Sequence, residues 1–406
     1  VRRSEILVGL DLGSSRVKVV VADATDPELP EVLGTGESDS RGVESGVIVN
    51  MEKTAESIRA AVEAAEESAE VDVGRVLVAI DGEHVKGIDS RGVIAVSRTA
   101  GEITGDEVAT VLDAAKTLAL PVGRAILEVL PQEFFVDAQR GIRDPVGMSG
   151  VRLGSNVHIV TASQQAVDNV TRAVRRAGLR AASVTLRPLA AAQASLSEDE
   201  RELGVLLVNL GGGTTSLVLY ADGAVRHVAS IGWGGASVTN DIAVGLGVPV
   251  ARAEQLKRES ACAMVSLADD APIQIPSVGG RPPRESSVQM LAAIVEPRVR
   301  EILEMVLGEL RSTEYSTKVP AGVVLTGGGA RLEGVCEVAE DVFGMPARVG
   351  LPGRVSGQFG ALADPAYAAA VGTTLMAIGT PSGRIIRERP IAATVQRVRQ
   401  WVDSLL

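Results

Sequence analysis

Hydrophobic and polar positions fall into one pattern written twice. Residues 7–23 read LVGLDLGSSRVKVVVAD, and residues 205–222 read VLLVNLGGGTTSLVLYAD. Each is an apolar run, one polar residue, Leu-Gly, a turn of small and hydroxyl residues, a second apolar run and Ala-Asp. Apolar runs of this length, bounded by turn residues, predict buried strands. Asp11 matches Asn209, and Gly13 matches Gly211. Two hairpins of one design half a chain apart predict a duplicated α/β domain rather than a short-period solenoid. The competing explanation is chance likeness between glycine-turn hairpins.

The remaining pattern fills in around these hairpins. Ile58, Val62 and Ala65 recur at helical spacing beneath a charged face in residues 52–69, which predicts an amphipathic helix. VGRVLVAIDG at 73–82 reads as a buried strand running into a turn. Residues 83–160 interrupt this unit with a cap-like helix start at TGDEVATVLDAAKTLAL and the strands RAILEVLPQEFFVDA and NVHIVTAS, an inserted α+β subdomain. A helix ending at Gly178 follows, with glycine in a C-cap position. Residues 235–310 read as mostly helical, broken by the Pro, Gly and Ser density of DDAPIQIPSVGGRPPRESS. PAYAAAVGTTLMAIG is a small-residue helix, TPSGRIIRERP a linker, and 391–406 a final helix.

The 406 residues suffice for several domains. With 46% hydrophobic and 22% charged residues the chain is globular. Four Phe, two Trp and three Tyr leave the core to Val, Leu, Ile and Ala, and supply few stacking platforms for single-stranded nucleic acid. A net charge of −11 is also opposite to that of a general nucleic-acid binder. Cys262 and Cys336 form no CxxC, and His84, His158 and His227 share no ligand spacing. Neither a disulfide framework nor a zinc site is expected. The opening VRRSEILVGLDLG has no signal-peptide pattern, and no apolar run is long enough for a transmembrane helix, so neither is expected.

Three glycine clusters carry the candidate chemistry. In the first, Asp11, Gly13, Ser14, Ser15 and Lys18, backbone N–H groups of the turn can approach phosphate oxygens. Asp11 can hold a hydrated Mg²⁺, an ion that takes only one or two carboxylates. Lys18 is either a phosphate partner or a solvated strand residue. The second is Asn209, Gly211, Gly212, Gly213, Thr214 and Thr215. Three consecutive glycines carry an entropic cost that is reasonable where backbone must touch a ligand; a tight hairpin turn is the plainer explanation. The third, VVLTGGGARLEGV, runs a buried strand into Gly327, Gly328 and Gly329 and predicts a helix beginning near Arg331. That places helix N–H groups at the carboxyl end of a strand, a common nucleotide position in α/β sheets. No GK[ST] follows, so it is not a Walker A loop.

In this order the three clusters resemble the first phosphate, second phosphate and adenosine segments of the actin/Hsp70/hexokinase superfamily. GMSGVRLGSNVHIVTAS, LSEDERELGVLLVNLGGGTTSLVLYADGAVRH, VEPRVREILEMV and AGVVLTGGGARLEGV together resemble the FtsA family of bacterial cell-division proteins over essentially the whole chain. The resemblance implies an actin-like α/β fold: duplicated ribonuclease-H-like domains around a nucleotide cleft, with an inserted α+β subdomain. Lobe 1 would comprise 1–82 and 161–203, interrupted by the polymer-contact insert 83–160. Lobe 2 would comprise 204–234 and 311–370, with an outer subdomain at 235–310. Residues 371–379 would return to lobe 1, followed by a linker at 380–390 and a membrane-targeting helix at 391–406. ATP and Mg²⁺ are the implied cofactors. AEQLKRES resembles the family's nucleotide-contacting helix, so Glu254 and Lys257 either touch ribose or base or form an ordinary surface ion pair.

Two departures bear on activity. Where the family usually has Asp in the second loop, this chain has Asn209, which brings no charge to a metal. Arg187 in TLRPLAAAQASL stands where many superfamily ATPases place a water-orienting Gln or Glu, and arginine cannot act as a base at neutral pH. Slow or negligible ATP hydrolysis is therefore expected, with nucleotide mainly holding the lobes closed.

The tail supports a membrane role independently. Ile391, Val395, Val398, Val402 and Leu405 form a stripe flanked by Trp401 and Leu406, with Arg397 and Arg399 beside it. From Arg384 onward five arginines face only Glu388 and Asp403. Sixteen helical residues reach about 24 Å, too short and too charged to span a bilayer. Such a helix suits an anionic membrane surface; docking on its own domain or on a second copy is the alternative. The helix around Pro297 and Arg298 resembles the FtsA region that receives the C-terminal peptide of the tubulin-like FtsZ, with Arg298 facing a peptide carboxylate or simply solvent. The expected partners are FtsZ, a second copy in a head-to-tail filament, anionic lipids and other division proteins, at the cytoplasmic face of the membrane at the division site. Two rivals remain, a PilM-like pilus-assembly adaptor and a small-molecule kinase of the same superfamily.

Overall fold

The computed structural model describes residues 5–96, 102–117, 121–275, 283–357 and 360–378. The tail helix expected over 391–406, with Ile391, Val395, Arg397, Val398, Arg399, Trp401, Val402, Leu405 and Leu406, lies outside the described residues, as does the linker 380–390.

The apolar runs of the first repeat become β1 (Ile6–Leu12) and β2 (Arg16–Asp23), an antiparallel pair continued by β3 (Glu31–Asp39). Short strands β4 (Val43–Glu44) and β5 (Val47–Ile48) lead into α1 (Met51–Ala69), which Asn50 caps by accepting from the Lys53 N–H at 3.0 Å. Ile58, Val62 and Ala65 of α1 are buried, as their spacing predicts. β6 (Arg75–Ile80) joins β1 in parallel.

The chain then leaves the lobe. β7 (Lys86–Ala95), α2 (Gly105–Lys116), β8 (Arg124–Val136), β9 (Gln139–Ile142) and β10 (Arg152–Ser163) form a separate four-stranded sheet ordered β7-β10-β8-β9. Thr104 and Glu107 cap α2 reciprocally, a capping box that satisfies two end N–H groups. Val111, Phe134, Val136 and Leu153 give this subdomain its own small core. α3 (Gln164–Arg176) and β11 (Arg180–Leu186) complete the first five-stranded sheet, ordered β11-β6-β1-β2-β3.

Two helices, α4 (Arg187–Ser195) and α5 (Glu198–Leu203), cross to the second repeat. There β12 (Val205–Leu210), β13 (Thr215–Ala221) and β14 (Ala224–Ile231) repeat the meander of lobe 1. Outside them lie α6 (Gly235–Leu246), α7 (Val250–Ser260), a hairpin of β15 (Pro272–Ile275) and β16 (Arg284–Ser287), and the long α8 (Val288–Arg311). β17 (Val323–Thr326), α9 (Val335–Phe343) and β18 (Ala347–Val349) finish a sheet ordered β14-β13-β12-β17-β18, and α10 (Ala368–Ala377) returns to lie against β1 and α4.

The two sheets share one topology: an antiparallel three-strand meander with two parallel strands beside its first strand. Register sharpens the match. Asp11 pairs with Lys18, one step before the hairpin-closing pair Leu12 and Val17; Asn209 pairs with Ser216, one step before Leu210 and Thr215. The sequence echo is a structural repeat. Every residue of β1 and of β12 is buried, because helices cover both faces of each sheet. Small residues on α10 have a reason in packing: a Cβ on Gly372 would fall 1.6 Å from the Ala190 carbonyl oxygen of α4.

One expectation needs correction. No helix begins at Arg331. Residues Gly328–Arg331 make a single 3-10 turn, Leu332 is extended, and the α-helix starts only at Val335. Gly334 sits at φ +77°, in the left-handed region that interrupts a right-handed helix.

Candidate functional site

The hairpin turn after β1 and the turn after β12 project from the two lobes and touch. A Cβ on Gly212 would meet Ser15 Cβ at 2.6 Å, and one on Gly213 would meet Ser14 Cβ at 2.8 Å. Only glycine lets the second turn come so close to the first. The third glycine cluster follows β17, beside β12 in the sheet. Between the clusters lies a cavity of about 310 Å³. It is lined by Asp11, Gly13, Ser14, Ser15, Lys18, Asn209, Gly211, Gly212, Thr215, Glu254, Lys257, Gly327, Gly328, Gly329 and Arg331. Of the nucleotide residues expected from sequence, only Gly213 and Thr214 do not line it. Gly213 is pressed against Ser14, and Thr214 is buried.

Beneath the turns is a buried ionic cluster. Arg187 opens α4 and is 4% exposed; its Nε donates to Asp11 at 2.7 Å, Nη1 to Asp81 at 3.4 Å and Nη2 to the Leu12 carbonyl at 2.7 Å. Burial works against the guanidinium charge, but Asp11 and Asp81 outweigh it and hold its pKa above the ordinary arginine value. Asp81 also accepts from Thr214 Oγ1 at 3.0 Å, which ties lobe 1 to lobe 2. Sequence reading missed Asp81. Its signal is an Asp-Gly pair at the carboxyl end of a buried strand, a pattern that equally marks an ordinary turn. Nothing local announced that this strand would be parallel to β1 and would bring its end beside Asp11.

Asn209 is 3% exposed. Its Oδ1 accepts from Thr326 at 3.3 Å, while its Nδ2 has no partner. Lys18 is buried, and burial lowers its pKa against the pull of Glu37, 3.7 Å away, and of Asp11. Arg331 pairs with Asp364, which it holds below the usual carboxylate range although burial pushes the other way. Glu254 and Lys257 pair at 2.6 Å and also line the cavity. Lys257 also donates to the Gly235 carbonyl at 2.9 Å, and burial lowers its pKa against the pull of Glu254. Val238, Ala261, Val299, Ile302, Leu332 and Val335 form an apolar wall that the sequence did not mark out. The cavity thus offers a polar, glycine-rich floor and an apolar side, a division suited to a phosphate chain and a planar base.

Arg298 lies apart from this cavity. Its guanidinium is already bound to Asp241 at 2.5 and 3.2 Å and to Glu301, and sits 4.6 Å from the Trp233 ring centroid. The side chain is therefore already paired within the chain rather than simply solvated. Among the described residues no helix is long and apolar enough to cross a membrane.

Two lobes with one repeated α/β topology, and glycine turns from both facing a single cavity, define an actin-like protein. Solved structures agree on the fold. The PilM-PilN type IV pilus biogenesis complex matches with a TM-score of 0.64 and 19% identity, covering 92% of this chain and 98% of the other. MreB 5 of Spiroplasma citri bound to AMPPNP matches with a TM-score of 0.53 and 13% identity, covering 98% of each chain. The family model for cell division protein FtsA matches residues 206–372, and the model for the SHS2 domain inserted in FtsA matches 82–161. Cell division protein FtsA of Pseudomonas aeruginosa is 40% identical, covering 100% of this chain and 99% of its own length. The chain belongs to the FtsA family of cell division proteins. Likeness to the pilus protein extends to fold alone.

Proposed function

We propose that this chain binds ATP between its lobes, assembles head to tail, and tethers FtsZ filaments to the cytoplasmic face of the membrane at the division site. The observation that carries the reading is the single cavity shared by three glycine clusters from both lobes. A triphosphate lying across the two touching turns would bridge the halves and favour the closed arrangement. The apolar wall suits adenine, and Glu254 and Lys257 suit the ribose edge.

Hydrolysis is slow in this reading. Arg187 stands where a water-orienting residue would be needed and is held in an ionic cluster by three hydrogen bonds; a guanidinium does not take a proton at neutral pH. Whether Mg²⁺ fits depends on Asp11, the one carboxylate of the first loop. That carboxylate is held by Arg187, so the residues present do not make a free anionic site for the ion, and no step is assigned to it.

Tethering would use the Arg-flanked amphipathic stripe at 391–406, which suits anionic headgroups. A partner peptide at Arg298 would have to share that guanidinium with Asp241 or displace Glu301. Co-sedimentation with vesicles of anionic phospholipid tests the tether. The intact chain pellets and a chain ending at residue 390 stays in the supernatant; an intact chain that stays in solution removes this function.

A further inference from the structure

We propose that triphosphate binding by this chain does not require magnesium: Arg187, fixed by Asp11 and Asp81, fills the place beside Asp11 that a divalent ion would take. This deepens the ATP reading above and rests on it.

Six cationic side chains and three carboxylates line the cavity, and Asp39, Asp81 and Asp364 behind the lining pair with Arg16, Arg187 and Arg331, so these charges are already matched before any metal is added. Each of the three carboxylates already has a cationic side-chain partner. Asp11 is held by Arg187 at 2.7 Å. Glu37 is held by Arg16 at 3.2 Å and Lys18 at 3.7 Å. Glu254 is held by Lys257 at 2.6 Å and Arg258 at 2.7 Å. Among the described residues no group of three or more His, Cys, Asp or Glu side chains could hold a metal ion.

The two positions best placed to receive a cation instead present donors. Asn209 lines the cavity with an amide whose buried Nδ2 has no partner, and it brings no negative charge to a metal. Arg187 spends three of a guanidinium's five N–H groups on Asp11, Asp81 and Leu12. Two remain for an anion. Its planar fork cannot drift away, because acceptors on β1 and just past the end of β6 hold it from two sides. A divalent ion reaching Asp11 would have to displace this guanidinium or sit beside it, with no second free carboxylate to offset the repulsion.

The test is titration of the purified full chain with N-methylanthraniloyl-ATP, once with magnesium and once with excess EDTA. The wild type is expected to bind with dissociation constants within about threefold of each other. Asn209→Asp and Arg187→Gln are each expected to weaken binding in EDTA by about tenfold or more and to regain it with magnesium. A wild type that loses tenfold or more on chelation overturns the proposal without reference to any variant. So does an Arg187→Gln protein that folds and stays indifferent to magnesium. If Arg187→Gln does not fold, the wild-type pair and Asn209→Asp decide. No binding by the wild type in either buffer would instead remove the ATP reading itself.

Discussion

Asp81 has no exposed side-chain surface, and its carboxylate ties Arg187 of lobe 1 to Thr214 of lobe 2. Removing one partner of a buried ionic cluster leaves the others desolvated and uncompensated, which costs more than the pair was worth. Asp81→Ala is therefore expected to lower unfolding free energy by about 3–5 kcal/mol, read from urea denaturation; a loss under about 1 kcal/mol would mean that Arg187 finds compensation elsewhere. Asp364 makes a pH-dependent contribution. Arg331 depresses its folded pKa, so its stabilisation is present above the ordinary carboxylate value and is lost as pH falls through the depressed one. The melting-temperature gap between wild type and Asp364→Asn should be open at neutral pH and close on acidification to below about pH 4. A gap that persists in acid would assign the effect to packing.

At the scale of elements, the separate core of the inserted subdomain predicts a local effect. Phe134 is 6% exposed within that cluster, and truncating it to alanine should cost about 3–5 kcal/mol. Amide exchange should accelerate across β7 to β10 while ATP affinity is retained; a matching loss in ATP affinity would mean that the insert and the cleft unfold together. Much of this layer was legible in sequence. The paired hairpins, α1 with Ile58 and Val62 inward, and the Thr104 cap follow from local periodicity and local hydrogen bonding. Strand ends and helix starts near glycines were less so: the turn at Gly328–Arg331 stops at the extended Leu332, and the α-helix begins only after Gly334 in a left-handed conformation, which composition alone does not reveal. Asp81, Asp364 and the apolar wall were illegible for another reason. Their roles arise from contacts between residues far apart in the chain, and a sequence pattern carries no register between β1 and β6.

At the scale of the whole molecule, two related lobes meet at glycine turns over a shared cavity. A nucleotide bound there should stabilise the closed arrangement by mass action, by about 2.7 kcal/mol at a hundredfold excess over its dissociation constant. Turnover of ATP should stay below about 1 s⁻¹, the low end of ordinary enzyme rates; faster release of phosphate by the pure chain would require a base that Arg187 does not supply. The most direct measurement is isothermal calorimetry of the full chain with ATP. The account predicts saturable binding of a single ATP per chain, accompanied by a raised melting temperature. Absence of saturable heat, with a melting temperature indifferent to ATP, would contradict it.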